Sequence, residues 1–146
     1  MIPRPWYSHY EADVPHNLQV LSYSSLPGLF ADACQRFTAK NAFTNMGVSL
    51  TYGQIDELST RFANFLTNRL GLQKGDRIAL QLPNLLQYPI CIIGALKAGL
   101  IIVNTNPLYT AREMEYQFRD SGIKAIVILA NFASRLQEIL PSLQDL

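Results

Sequence analysis

Residues Gly75 to Tyr109 read GDRIALQLPNLLQYPICIIGALKAGLIIVNTNPLY, and this stretch decides the fold. Asp76 to Leu82 alternates polar and apolar residues, the pattern of a strand, and Pro83-Asn84 stops it. Leu85 to Ala98 is apolar nearly all the way round, as a helix pressed between other elements would be. Gly99 breaks that helix, and Leu100 to Val103 is a short aliphatic run, the pattern of a strand buried on both faces. The expectation is a parallel β-α-β unit. Pro89 predicts a kink or a loose first turn if Asn84 caps the helix. Gly94 and Gly99 are expected to mark close contact between helix and sheet.

Working outward, Thr110 and Glu113 form a capping box for a further helix that ends near Ser121-Gly122. Lys124 to Leu129 is a third aliphatic strand. Asn131 is the expected cap of a last helix with Phe132, Leu136, Ile139 and Leu140 on one face, and Pro141 ends it. Upstream, Ser25 and Pro27 open a first helix whose buried face is Leu26, Leu29, Phe30, Ala33 and Phe37. Ala42 to Met46 and Val48 to Leu50 flank Gly47 as a small hairpin. Thr51 and Gln54 make another capping box, and Gly71 closes that helix in a left-handed conformation. Residues 1–24 carry Pro3, Pro5 and Pro15 with Trp6, Tyr7, Tyr10 and Tyr23, and no helical or strand period. They read as an extended strap. The fold class is therefore α/β: an open parallel sheet of three-layer type (β-α-β-α-β-α) preceded by the strap, two helices and the hairpin, with residues 1–24 as the strap and 25–146 as the α/β subdomain. A fourth strand would be due after Leu146, so the α/β unit reads as incomplete.

Composition excludes several functions. The formal net charge is +1, with 12 Lys and Arg against 11 Asp and Glu, and no basic stripe to neutralise nucleic-acid phosphates. Cys34 and Cys91 have no CxxC partner and read as buried free thiols of a reducing, cytoplasmic setting. The N-terminus has no apolar secretory core, and Pro89 to Val103, interrupted by Lys97, falls short of the roughly 20 residues a membrane span needs. No two of the eight glycines lie closer than four positions, so GxGxxG cannot occur, and no GxxxxGK[ST] is present either. The only histidines, His9 and His16, sit in the strap, where a nucleophilic triad has no rigid support. With Glu11 and Asp13 they match no zinc spacing. The pairs Asp56-Glu57 and Glu113/Glu115 lie near helix N-termini, where the helix dipole favours them. Open α/β sheets collect ligands beyond the C-terminal ends of their strands. There the sequence places Asn104, Thr105 and Asn106, which are substrate-proximal candidates or simply turn-forming and capping residues.

The stretch GDRIALQLPNLLQYPICIIGALKAGLIIVNTNPLYTAREMEYQFRDSG resembles the opening region of AMP-forming long-chain fatty acid–CoA ligases, in the adenylate-forming superfamily. The likeness extends to Ala12-Asp13-Val14-Pro15, Ala42-Phe43-Thr44-Asn45-Met46-Gly47, Leu50-Thr51-Tyr52 and Ala130-Asn131-Phe132-Ala133. It implies activation of a long-chain fatty acid with Mg and ATP, then transfer to coenzyme A. It also implies that the phosphate loop, metal contacts, acyl tunnel and C-terminal lid lie downstream, so no catalytic, cofactor-binding or metal residue carries over to residues 1–146. Trp6, Tyr7, Tyr10 and Tyr23 are the implied pairing surface, towards a second copy or a full-length ligase subunit. Contact of the full-length form with the inner membrane face is a further implication. Two readings stay open: an N-terminal fragment inactive alone, and a non-catalytic interaction module.

Overall fold

The computed structural model describes residues 3–17 and 22–143. Parts of the expected strap and the end of the α/β segment lie outside these residues. Elements follow in the order α1 (Leu26–Arg36), β1 (Asn41–Asn45), β2 (Val48–Thr51), α2 (Tyr52–Asn68), β3 (Arg77–Gln81), α3 (Gln87–Lys97), β4 (Ile101–Asn104), α4 (Ala111–Ser121), β5 (Ala125–Ile128) and α5 (Ala133–Ile139). β1 and β2 form an antiparallel hairpin, and β4-β3-β5 form a parallel sheet in that order.

The central strand is β3. Side chains alternate across a strand, and each parity meets a different helical layer. Ile78 and Leu80, with Ile102, Ala125 and Val127, pack against Leu66 of α2 and Cys91 and Ala95 of α3. Ala79, with Val103, Ile126 and Ile128, packs against Met114 and Phe118 of α4 and Ile139 of α5. α1 lies against α2 and α3.

Local signals behave as expected where partners are close in sequence. Both capping boxes form: Thr51 with Gln54, and Thr110 with Glu113. Ser25 caps α1 through the Gly28 amide. Gly122 ends α4 at φ +60, a conformation costly for any residue with a Cβ.

Six expectations change. Pro5–His9 is a 3-10 helix, so this part of the strap is coiled. β3 has no polar face: Ile78 through Gln81 are fully buried, because helices cover both sides of a central strand. The strand expected to be buried on both faces, β4, lies at the sheet edge with Ile101 47% exposed. α3 begins at Gln87, not at an Asn84 cap, which places Pro89 in the first turn. No N–H is needed there, and the predicted conflict disappears. Gly94 touches a helix, not the sheet: a Cβ there would lie 2.7 Å from the Ser59 carbonyl oxygen and 2.8 Å from Phe62. Asn131 does not cap α5; it lies in a short 3-10 turn, Ala130–Phe132, ahead of it.

Candidate functional site

The strand ends converge on the segment after β4. Thr105 is buried, and its amide donates to the Leu80 carbonyl at 3.1 Å, extending the sheet by one bond. Asn104 accepts the Tyr88 hydroxyl on its side-chain oxygen at 2.9 Å, and its carbonyl accepts Gln117 Nε2 at 3.1 Å. Asn106 Oδ1 accepts the Leu108 amide at 2.9 Å, an Asx turn, while its carbonyl accepts Gln81 Nε2 at 3.2 Å. The three candidates therefore stand together, and each is engaged in bonds that shape the loop.

That loop feeds directly into α4. Glu113 accepts the Thr110 amide and hydroxyl, both at 2.8 Å, and these bonds hold its carboxyl below the usual carboxylate range. Arg135 of α5 donates to the Tyr109 carbonyl at 3.1 Å. At the end of β3, the Asn45 side chain donates to the Asn84 carbonyl at 3.0 Å and ties the hairpin to the sheet. An open groove of about 650 Å³ runs beside α4, lined by Tyr109, Arg112, Glu113, Tyr116, Gln117 and Asp120.

Three supports of the loop went unnoticed in sequence: Gln81, Gln117 and Tyr88. Gln81 could have been found, since an amide inside an aliphatic strand needs a specific partner once both faces are buried. Its Oε1, like that of Gln117, has no hydrogen-bond partner among the described residues. Gln117 and Tyr88 reach Asn104 from 13 and 16 residues away and carry no local signal.

The remaining candidates separate. Tyr7 stacks on His16 at 4.2 Å between ring centres, with Tyr10 at 5.6 Å and Trp6 at 6.2 Å. Tyr23 stands apart, donating its hydroxyl to Asp32 of α1 at 2.5 Å. The two neighbouring carboxylates of α2 diverge: Asp56 meets Lys97 of α3 at 2.7 Å, and Glu57 meets Arg61 at 2.6 Å. Cys34 and Cys91 are buried free thiols, and burial pushes Cys91 up to about 11, which keeps it protonated and unreactive.

A nucleotide needs converging backbone amides or a cluster of metal-binding side chains. The glycine spacing provides no such cradle, and the described residues hold no group of three or more His, Cys, Asp or Glu suited to a metal. The groups at the strand ends face one another instead.

The family model for AMP-binding enzymes matches residues 30–146. A long-chain-fatty-acid–CoA ligase of Yersinia pestis is 51% identical over 135 residues, 92% of this chain and 24% of the relative. One from Salmonella typhimurium is 49% identical over the same shares. A Mycobacterium tuberculosis fatty acyl CoA synthetase superposes with a TM-score of 0.73 at 30% identity, covering 78% of this chain and 23% of that one. The chain thus spans about a quarter of the length of the curated relatives it matches. A sheet with this element order and a family match across most of the chain lead to one conclusion: the chain belongs to the AMP-binding enzyme family.

Proposed function

We propose that this chain forms the N-terminal scaffold of a long-chain fatty acid–CoA ligase and does not activate fatty acids by itself. In the complete reaction a fatty carboxylate attacks the α-phosphorus of ATP and releases pyrophosphate. The thiol of coenzyme A then displaces AMP from the acyl-adenylate. Mg, ATP and coenzyme A are the cofactors of that whole enzyme, and long-chain fatty acid is its substrate. The observation that carries the reading is the pairing of 51% identity with coverage of only 24% of the relative. In support, the polar groups at the strand ends are engaged within the chain. Asn104 to Asn106 is the segment nearest substrate in this reading, because open sheets bind ligands at their strand C-terminal ends.

The test has two arms. The 146-residue chain alone is expected to show no fatty-acid-dependent exchange of labelled pyrophosphate into ATP, and exchange above a heat-killed control would refute its inactivity. A chimera in which this chain replaces the matching quarter of the Yersinia pestis ligase is expected to restore exchange. A folded, soluble but inactive chimera would sink the ligase reading.

A further inference from the structure

Ile78, Ala79 and Leu80 make β3 apolar, and Gln81 then ends the strand as a fully buried amide. It shares its parity with Ala79 and therefore faces the layer of α4 and α5. There its Nε2 donates to the Asn106 carbonyl at 3.2 Å. That bond also fixes which way the amide points, since turning it over would set oxygen against oxygen. Oε1 is left with no partner among the described residues. Gln117 repeats the arrangement from α4, with Nε2 on the Asn104 carbonyl and Oε1 unpaired. Two amides thus grip alternate carbonyls of the segment Asn104 to Asn106, and each leaves its own oxygen unmatched.

As a source of stability the Gln81 contact is poor. A buried acceptor without a donor keeps its desolvation penalty, which outweighs the modest net gain of one neutral hydrogen bond. Nor does the Asn106 carbonyl require Gln81, because the Tyr109 amide donates to it as well, at 3.1 Å. Methionine, unbranched and adaptable, would remove the unmatched oxygen at position 81 and create no new one. What Gln81 supplies is placement. The Thr105 amide on the Leu80 carbonyl is the last backbone bond from β4's end to β3, and Gln81 carries the hold into the turn Asn106 to Tyr109. Asn106 Oδ1 accepts the Leu108 amide inside that turn, and Arg135 holds the Tyr109 carbonyl at its end. Thr110 then caps α4, and Tyr109 lines the groove beside it. We propose, on the ligase reading above, that Gln81 is a positioning residue. It lowers the stability of the core and in return fixes the turn Asn106 to Tyr109 in the geometry that acyl activation uses.

A positioning role and a stabilising role predict opposite signs for one substitution. In the 146-residue chain, Gln81→Met is expected to leave the denaturation midpoint unchanged or to raise it. Hydrogen exchange at the Tyr109 amide should quicken about tenfold or more, while the amides of Ala79 and Leu80 stay as protected as before. In the chimera with the Yersinia pestis ligase, the same substitution should lower kcat for pyrophosphate exchange about tenfold or more, with KM for ATP little changed. Gln81→Leu, which also lacks the amide, should behave alike. A midpoint lowered in both variants would make Gln81 an ordinary stabilising contact and overturn the proposal. So would unchanged exchange at Tyr109, or a substituted chimera with full activity. A folded but inactive chimera carrying Gln81 would overturn the ligase reading, and the catalytic use of the turn with it. Midpoint and exchange in the 146-residue chain would still decide whether Gln81 fixes the turn at a loss of stability.

Discussion

The two faces of the sheet are covered by different means. On one, α3 lies so close to α2 that a Cβ on Gly94 would stand only 2.7 Å from the Ser59 carbonyl oxygen. Beside it, Lys97 reaches across to α2 and donates to the Asp56 carbonyl and carboxylate, Ser59 Oγ and Thr60 Oγ1, at 2.7 to 3.0 Å. On the other face, Phe118 and Met114 of α4 fill the space above Ala79, and no salt bridge joins α4 to α5 among the described residues. The first face is specified by fit and direction, the second by volume. The loop of Asn104 to Asn106 leads into the second, so its position depends on how well that apolar filling holds.

Denaturant unfolding can break or sharpen this contrast. The largest effect is expected from Phe118→Ala, about 3–5 kcal/mol, because a fully buried ring leaves a cavity that helices and sheet close only partly. A loss below about 1 kcal/mol would mean that volume does not govern the α4–α5 face. Gly94→Ala comes next. Overpacking costs about 1–3 kcal/mol and the gain in helix propensity returns up to about 1, so a net loss is expected. A neutral or stabilising result would show that α2 and α3 separate freely, removing close fit as the principle of that face. Lys97→Met should cost least, about 1 kcal/mol. Its apolar stem is kept, Ser59 and Thr60 retain bonds to the Asp56 carbonyl, and the Asp56 side chain, 48% exposed, returns to water. If Lys97→Met costs more than Gly94→Ala, the polar node and not the close approach holds the two helices together.

Features that depend on neighbours in the chain were legible beforehand. Thr51 with Gln54 and Thr110 with Glu113 satisfy each other's backbone amides within one turn, and tertiary packing does not disturb them. The three parallel strands were equally plain, one as an alternating segment and two as aliphatic runs. Their spatial order was not, because IALQ, IIVN and AIVI carry nearly the same apolar content and nothing local says which is central. The candidate site was legible as a place, since polar residues at a strand's end stand out. Its bonding was hidden, because Gln81, Tyr88 and Gln117 meet Asn104 and Asn106 only after the sheet has formed.

The sequence by itself determined the helices, the turns, the parallel α/β class and the likeness to AMP-binding ligases, all of which rest on residue identity at short range. Tertiary structure alone decided that β3 is the buried middle strand, that Gly94 serves α2, and that Lys97 and Asp56 face each other across 41 residues. The physical reason is shared. Burial, close approach and buried polar pairing depend on what arrives from elsewhere in the chain, and no local pattern of residues records that arrival.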